Sequence, residues 1–190
     1  MEVEKLGAGI FVIHDFLTPE ECVKYIEESE NIGFSEAVIT TEDGERMFKD
    51  ARNNDRIVFD NPVLSQTLFR RASPLLPPSI DGWGLCGFNE RFRYYRYENE
   101  QFFKLHMDGT FRRNESEESF LTFLIYLNDD FTGGLTDFIW ERVKPKTGSA
   151  LVFPHRHMHQ GSVVTSGVKY VLRTDVLYRN EANSVKQGKA

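Results

Sequence analysis

The 190-residue chain has little cysteine, no long apolar run and no excess of basic residues. Its two cysteines, Cys22 and Cys86, are too few for a disulfide framework and form no C-x-x-C motif, so we expect two buried thiols. No apolar run approaches the roughly 18 residues that span a bilayer, and the N-terminal sequence MEVE lacks the basic segment of a signal peptide. We therefore expect a soluble, cytoplasmic protein without a membrane partner.

The charge balance argues against one class of partner. Lys and Arg number 23, against 29 Asp and Glu, which gives a formal net charge of -6. An acidic protein has no global attraction for a polyanion, so we expect no nucleic-acid partner.

Aromatic residues are abundant. The 16 Phe, 7 Tyr and 2 Trp make up 13% of the chain, and such residues favour strands and aromatic-lined cavities. The length predicts a single domain. We expect it to span residues 1–180, with helical support in 1–80 and a β-rich core in 81–180, followed by a polar tail over 181–190.

Two helices are predicted in the first 80 residues. Thr18 is followed by Pro and two Glu, which is the pattern of a capped N-terminus, and this helix should run to about Glu30. A second helix should begin after Asn61 and end before Pro74. Both helices are expected to brace a sheet.

From residue 83 onward the hydrophobic pattern has a period of two. Strand-like segments lie at 85–97, 102–105, 120–127, 135–140, 150–153, 161–164 and 169–178. Many short strands separated by turns predict a sandwich, jelly roll or barrel, so the fold class is mainly β with bracing helices, α+β. The charged run 52–56, ahead of these strands, is either a functional loop or, as charge runs usually are, a solvated segment.

A metal site is indicated by the histidines of the β-rich half. His106 and Asp108 lie two residues apart, so on a strand both side chains point to one face. A distant second histidine would complete a two-histidine, one-carboxylate triad, which binds iron(II) and leaves coordination positions open. The candidates His155, His157 and His159 share one strand parity, so alternation does not choose among them. A surface histidine stripe and a catalytic zinc site remain alternatives.

Four stretches carry a resemblance to a known family. They are 96–109 (RYENEQFFKLHMDG), 121–128 (LTFLIYLN), 133–138 (GGLTDF) and 145–178. With these motifs in this order, residues 85–178 resemble the 2-oxoglutarate- and iron(II)-dependent dioxygenases, specifically the prolyl 4-hydroxylase-like branch. The resemblance implies a double-stranded β-helix, which is a cupin-like jelly roll. It also implies Fe(II), 2-oxoglutarate as cosubstrate, O2 and ascorbate.

The resemblance also assigns site residues. In the family a basic residue follows the second histidine by about ten positions, and Lys169 stands ten residues after His159. This selects His106, Asp108 and His159 as the catalytic metal ligands, and Lys169 as the partner of the C5 carboxylate of 2-oxoglutarate. Arg173 has the same strand parity as Lys169 and is the alternative anchor.

Further contacts are expected around the cosubstrate and the substrate. A lysine is a compact point charge, so one carboxylate oxygen would need another donor. Tyr126 is the family-aligned candidate, Thr122 shares its strand face, and Tyr97 matches an aromatic residue near the cosubstrate. The run 52–56 is similar in character to the substrate-covering loop of protein prolyl hydroxylases, which implies Asp55 and Arg56 as substrate contacts.

The implied reaction is hydroxylation of an unactivated C–H bond, coupled to conversion of 2-oxoglutarate into succinate and carbon dioxide. The resemblance implies a prolyl residue of a protein or peptide as the substrate. Two alternatives stay open: hydroxylation of a free amino acid or other small molecule, and a cupin-like metal-binding module without oxygenase activity.

Overall fold

The computed structural model describes residues 1–36 and 50–180, together with the backbone of 39–41 and 44–46. The expected polar tail 181–190 lies outside the described residues. The helices are α1 (Pro19–Ile32) and α2 (Pro62–Ala72), and a 3-10 turn follows at Ser73–Leu75. The strands are β1 (Glu2–Gly7), β2 (Ile10–His14), β3 (Ser35–Glu36), β4 (Ile39–Thr41), β5 (Gly44–Arg46), β6 (Asp55–Asp60), β7 (Ser79–Ile80), β8 (Trp83–Phe88), β9 (Arg91–Tyr97), β10 (Phe103–His106), β11 (Arg112–Asn114), β12 (Glu117–Tyr126), β13 (Thr132–Gly133), β14 (Thr136–Phe138), β15 (Arg142–Val143), β16 (Ala150–Pro154), β17 (His159–Gly161), β18 (Val164–Ser166) and β19 (Lys169–Arg179).

Both predicted helices are confirmed, and each begins at its capping residue. The Thr18 hydroxyl accepts the Glu21 N–H at 3.2 Å, and the Glu21 carboxylate accepts the Thr18 N–H at 2.9 Å. These reciprocal bonds satisfy two backbone donors that the first turn of α1 leaves free. At α2, the Asn61 side chain accepts the Leu64 N–H at 2.9 Å, and Pro62 occupies the first turn.

Two antiparallel sheets form the predicted jelly roll. The larger sheet has the order β1-β2-β16-β12-β19-β9-β6-β3, with β8 attached to β19 and β11 attached to β12. The smaller sheet has the order β10-β17-β14-β15. The first 80 residues therefore supply strands of the larger sheet in addition to the two bracing helices. No helix in the described parts of the chain is both long enough and apolar enough to cross a membrane.

Strand alternation sorts the side chains of the larger sheet between two hydrophobic cores. Phe123 and Leu172 face the core that includes residues of both helices. Tyr126 and Val171, on the same two strands, belong to the core shared with the smaller sheet. Because successive side chains point to opposite faces, β12 and β19 serve both cores at once. The candidate site lies in the second core.

The strand pattern differs from the sequence prediction at two points. Segment 85–97 is two strands, since the Asn89 side chain accepts the Arg91 N–H at 3.1 Å and forms a local turn between β8 and β9. Segment 161–164 is also divided, because β17 pairs with β14 whereas β18 pairs with β13. Of the two expected buried thiols, Cys22 is buried and Cys86 is half-buried, and neither forms a disulfide.

Candidate active site

The two histidines and the aspartate selected from the sequence meet at the smaller sheet. His106 ends β10 and is the register partner of His159 in β17, with their ring centroids 4.3 Å apart. Asp108 Oδ1 lies 3.7 Å from His106 Nε2, and Asp108 Oδ2 lies 3.7 Å from His159 Nε2. One ligand atom from each residue lies within 4.8 Å of the other two. A single metal ion could therefore contact all three.

Both imidazoles are oriented and protonated as metal ligands require. His106 Nδ1 bonds to the Lys104 carbonyl at 2.8 Å, and His159 Nδ1 bonds to the His157 carbonyl at 2.9 Å. Each Nδ1 thus carries the proton, which leaves Nε2 free to bind a metal. Burial and the neighbouring His159 lower the pKa of His106 to about 4, and burial lowers the pKa of His159. Two neutral imidazoles and one carboxylate are the donor set of non-haem iron(II) oxygenases, so the residues fit that metal.

The other two candidate histidines lie outside this cluster. His157 Nε2 bonds to the Ala8 carbonyl at 2.6 Å, in the turn between β1 and β2. His155 is buried, with Nδ1 at 2.9 Å from the Thr122 hydroxyl and Nε2 at 2.8 Å from the Ser119 hydroxyl. The fold therefore separates three histidines that strand parity could not distinguish.

A chain of hydrogen bonds runs from Asp108 into the protein interior. The Thr122 hydroxyl donates to Asp108 Oδ2 at 2.5 Å, so it must accept from His155 Nδ1–H. His155 Nε2 then accepts from the Ser119 hydroxyl, whose oxygen accepts the Phe111 N–H at 2.8 Å. One arrangement of protons satisfies every contact and fixes the orientation of the Asp108 carboxylate. The Thr122 hydroxyl, expected near the cosubstrate, is thus engaged by Asp108 and His155.

Lys169 provides a buried cation in the cavity that the metal-ligand residues line. Its side chain is almost inaccessible, with the residue 3% exposed, and Nζ donates to the Gly134 carbonyl at 2.6 Å. Nζ also lies 5.3 Å and 5.4 Å from the ring centroids of Tyr97 and Tyr126. Burial lowers the pKa of Lys169 to about 7. An ammonium group with these neutral neighbours is suited to bind a carboxylate.

The two tyrosines expected near the cosubstrate lie on either side of Lys169. Tyr97 lines the cavity directly, and its hydroxyl is close to Gly161 of β17. The Tyr126 hydroxyl donates to Thr136 Oγ1 at 2.7 Å, and Thr136 also lines the cavity. Tyr126 therefore lies immediately behind the wall that Tyr97 and Thr136 form.

Arg173 lies beside the metal ligands and not beside Lys169. Its Nη2 is 3.0 Å from Asp108 Oδ1 and 3.2 Å from Asp175 Oδ1. Burial alone would raise the pKa of Asp108, but Arg173 holds that pKa well below its ordinary range. Four residues of strand separate Arg173 from Lys169 by about 13 Å. This position favours Lys169 over Arg173 as the anchor of the C5 carboxylate.

The charged run 52–56 is not a solvated segment. Arg52 is 5% exposed and Asn54 is fully buried. Asn53 holds the run against the chain ahead of β10: its N–H donates to the Phe102 carbonyl at 3.3 Å, and its side-chain oxygen accepts the Phe102 N–H at 2.8 Å. The first half of the run therefore packs beside the strand that carries His106, behind the residues that line the cavity.

The two residues of this run expected to contact substrate lie in β6. Asp55 pairs with Arg96 at 3.1 Å and faces the side of the sheet where α1 packs, away from the cavity. Arg56 lies opposite Tyr95 in the strand register but does not line the cavity. Strand alternation is the reason that Asp55 does not reach the site.

Several site residues were not expected from the sequence. Tyr95 lines the cavity, and strand parity with Tyr97 would have found it. Ser119 lies three residues before Thr122, so regular strand alternation would place the two on opposite faces. The bulge in β12 near Leu121 brings them to one face, and the sequence does not reveal that bulge. Arg52 packs against two cavity-lining rings, Tyr95 and Phe103. Its bridge to Phe103, about fifty residues away, is one that no local pattern reveals.

Comparisons with known proteins agree with this geometry. Residues 92–174 match the family model described as 2OG-Fe(II) oxygenase superfamily. The chain is 28% identical over 202 aligned residues to prolyl 4-hydroxylase 1 of Arabidopsis thaliana, covering 89% of this chain and 69% of that protein.

Two solved structures share the fold. One is the viral collagen prolyl hydroxylase of Paramecium bursaria Chlorella virus-1 in complex with 2-oxoglutarate, with a TM-score of 0.65, 21% identity, and coverage of 90% of this chain and 97% of that one. The other is a prolyl hydroxylase of Trichoplax adhaerens in complex with a peptide fragment of hypoxia inducible factor, with a TM-score of 0.65, 17% identity, and coverage of 93% and 86%. The chain is therefore similar over residues 92–174 to the 2OG-Fe(II) oxygenase superfamily, and over most of its length it resembles prolyl 4-hydroxylase 1.

Proposed function

We propose that this chain is a dioxygenase that hydroxylates a prolyl residue of a protein or peptide. The observation that carries the proposal is one cavity lined by His106, Asp108 and His159 and also by the buried cation of Lys169. These are the groups needed to bind a metal and a dicarboxylic 2-oxo acid together. The prolyl substrate is supported by the relatives, which are prolyl hydroxylases.

Each residue has a defined task in the proposed reaction. His106 and His159 would bind iron(II) through Nε2, and Asp108 through a carboxylate oxygen. Bound iron(II) supplies oxygen activation coupled to decarboxylation of 2-oxoglutarate. Lys169 binds the C5 carboxylate and so directs the 2-oxo acid end toward the three ligands. Phe103 stacks on the His106 ring at a centroid distance of 3.5 Å and shields it from water.

The surface beside the ligands suits an apolar substrate group. Leu105 and Met107 flank His106 in the sequence and are 49% and 58% exposed. Inside the cavity, Tyr95, Tyr97 and Phe103 present aromatic faces. A pyrrolidine ring could pack on such faces while the peptide crosses the exposed apolar side chains.

The test is an assay of product mass. Iron-loaded protein is incubated with 2-oxoglutarate, O2 and a library of proline-containing peptides, with free proline in a parallel reaction. We expect one peptide class to gain the mass of one oxygen atom, with an equal amount of succinate. Oxygen transfer to free proline alone would favour the small-molecule alternative. Consumption of 2-oxoglutarate with no oxygen added to any proline would contradict the prolyl substrate.

We also propose that ascorbate sustains turnover by returning oxidised iron to Fe(II), and that the protein acts in the cytoplasm. Cys22 and Cys86 are both free thiols, which supports a reducing compartment. Repeated turnover should decline without ascorbate, and tagged protein should fractionate with cytosolic markers. Equal turnover with and without ascorbate, or recovery in an oxidising compartment, would contradict these two points.

A further inference from the structure

Three arginines converge on Tyr95 at the wall of the cavity. The Arg173 Nη1 lies 3.3 Å from the Tyr95 hydroxyl. The Arg52 guanidinium carbon lies 4.6 Å from the Tyr95 ring centroid and 4.3 Å from that of Phe103, so it is placed between two cavity-lining rings. Arg93 is the register partner of Arg173 on the neighbouring strand β9, which places both on one face of the sheet.

Each of these arginines keeps a buried donor without a hydrogen-bond acceptor, which for Arg93 is Nη1, 3.5 Å from Asp175 Oδ2. Arg52 Nε donates to the neutral side-chain oxygen of Asn54 at 2.7 Å, whereas Arg52 Nη2 is buried and has no hydrogen-bond partner among the described residues. Arg173 Nε is in the same condition. An unpartnered buried donor costs stability, and a charged donor costs more. Such donors persist where a ligand supplies the acceptor.

The negative charge in this region does not balance the positive charge. Within the described residues, only Asp108 and Asp175 form ion pairs with Arg93 and Arg173, and no carboxylate pairs with Arg52. Asp137 is the carboxylate whose charge acts on Lys169. The three arginines beside Tyr95 therefore carry three positive charges, against the two negative charges of Asp108 and Asp175.

The excess positive charge acts on Tyr95, which lines the cavity. Burial alone would raise the pKa of Tyr95, yet Arg173, Arg52 and Arg93 together lower it below its ordinary value. The nearby carboxylates Asp55 and Glu30 do not offset this effect, because both pair with Arg96 on the opposite face of the sheet.

We propose that Arg52 and Arg173 form a second carboxylate-binding position beside the metal ligands, and that the substrate places a carboxylate there. A guanidinium group offers paired donors that match the planar carboxylate. The inference rests on the proposed function and narrows it: the hydroxylated prolyl residue is the C-terminal residue of its peptide, so its own carboxylate is free. Lys169 remains reserved for the C5 carboxylate of 2-oxoglutarate.

The test compares two ligands that differ only in this group. Protein loaded with Mn(II) and 2-oxoglutarate under anaerobic conditions is titrated calorimetrically with N-acetylproline and with N-acetylprolinamide. We expect the acid to bind at least about tenfold tighter than the amide, which corresponds to about 1.4 kcal/mol.

Three variants assign the preference to its residues. Arg52→Gln should bring the ratio of the two affinities close to one, without touching a metal ligand. Arg52→Lys keeps the charge and should keep part of the preference, which separates charge recognition from loss of folding. Arg91→Gln is the matched control, because Arg91 lies on the same strand as Tyr95 but is half-exposed and pairs with Asp60 at 3.1 Å; it should retain the full preference.

Three results would overturn the inference: equal affinity for acid and amide in the unmodified protein, a preference that survives Arg52→Gln, or no binding of either ligand. A fourth result, weaker binding of 2-oxoglutarate in Arg52→Gln with an unchanged acid-to-amide ratio, would assign the position to the cosubstrate and also overturn it. The proposed function fails separately, by a lack of iron-dependent conversion of 2-oxoglutarate into succinate.

Discussion

Among the three metal-ligand residues, Asp108 is the one whose side chain contacts both a hydroxyl and a guanidinium group. The Thr122 hydroxyl holds one of its carboxylate oxygens and the Arg173 guanidinium holds the other. A ligand side chain that is already oriented loses little conformational freedom when the metal binds. Removing one of these partners should therefore weaken metal binding.

Thr122→Val tests this positioning role. Valine has nearly the shape of threonine but cannot donate to Asp108 or accept from His155 Nδ1–H. We expect Mn(II) binding to weaken by about 10- to 100-fold. Thr122→Ser keeps the hydroxyl and should bind Mn(II) with near-original affinity. The positioning role is wrong if the valine variant binds the metal as tightly as the serine variant.

Lys169 predicts how 2-oxoglutarate affinity depends on pH. Burial lowers its pKa to about 7 in the protein without cosubstrate, and the C5 carboxylate requires the ammonium form. Below pH 7 the lysine is already charged, so affinity should be nearly constant. Above pH 7 the neutral lysine must take up a proton when 2-oxoglutarate binds, so the affinity for 2-oxoglutarate should fall by about tenfold per pH unit.

Calorimetry in buffers of different ionisation enthalpy measures this proton uptake. For metal-loaded protein at pH 8 to 9, about one proton should be taken up per 2-oxoglutarate bound. Lys169→Arg, whose guanidinium stays charged, should remove the pH dependence. Constant affinity across this range in the unmodified protein would show that Lys169 is charged before the cosubstrate binds.

At the scale of elements, the helices were predictable because their signals are local. Helix α1 was expected from the Thr18 cap to about residue 30 and ends at Ile32. The strands were predictable as a period-two pattern, but their pairing partners were not. Asn89 divides one predicted strand into two by a turn that its side chain stabilises. The position of Arg52 depends on a backbone bridge to Phe103, which is distant in the sequence.

Thr18→Ala should destabilise the protein through α1 alone. The substitution removes the hydroxyl that accepts the Glu21 N–H, whereas the backbone N–H of residue 18 can still donate to the Glu21 carboxylate. The loss of such a side-chain cap costs about 1 kcal/mol of unfolding free energy. Thr67→Ala is the control, because Thr67 is exposed within α2 and bonds only to the Val63 carbonyl of its own helix. Urea denaturation should show a clearly lower midpoint for Thr18→Ala than for Thr67→Ala. Equal midpoints would mean that the cap contributes nothing measurable.

At the scale of the whole molecule, the two sheets bring together residues that lie far apart in the sequence. His106 and His159 come from paired strands of the smaller sheet, whereas Lys169 and Arg173 come from β19 of the larger one. The sequence motifs predicted the three metal ligands and favoured Lys169 over Arg173 for the cosubstrate. Strand parity alone places both cations on one face of β19, and it does not reveal that Arg173 pairs with Asp108.

The central claim is that His106, Asp108 and His159 bind iron(II) in the cavity where Lys169 binds 2-oxoglutarate. The most direct measurement is the visible absorption spectrum of Fe(II)-loaded protein under anaerobic conditions, before and after 2-oxoglutarate is added. The account predicts a charge-transfer band that appears with 2-oxoglutarate and is absent from Asp108→Ala. It also predicts that Lys169→Met needs a much higher cosubstrate concentration to develop the band. No band in the iron-loaded protein, or an equal band in Asp108→Ala, would contradict the account.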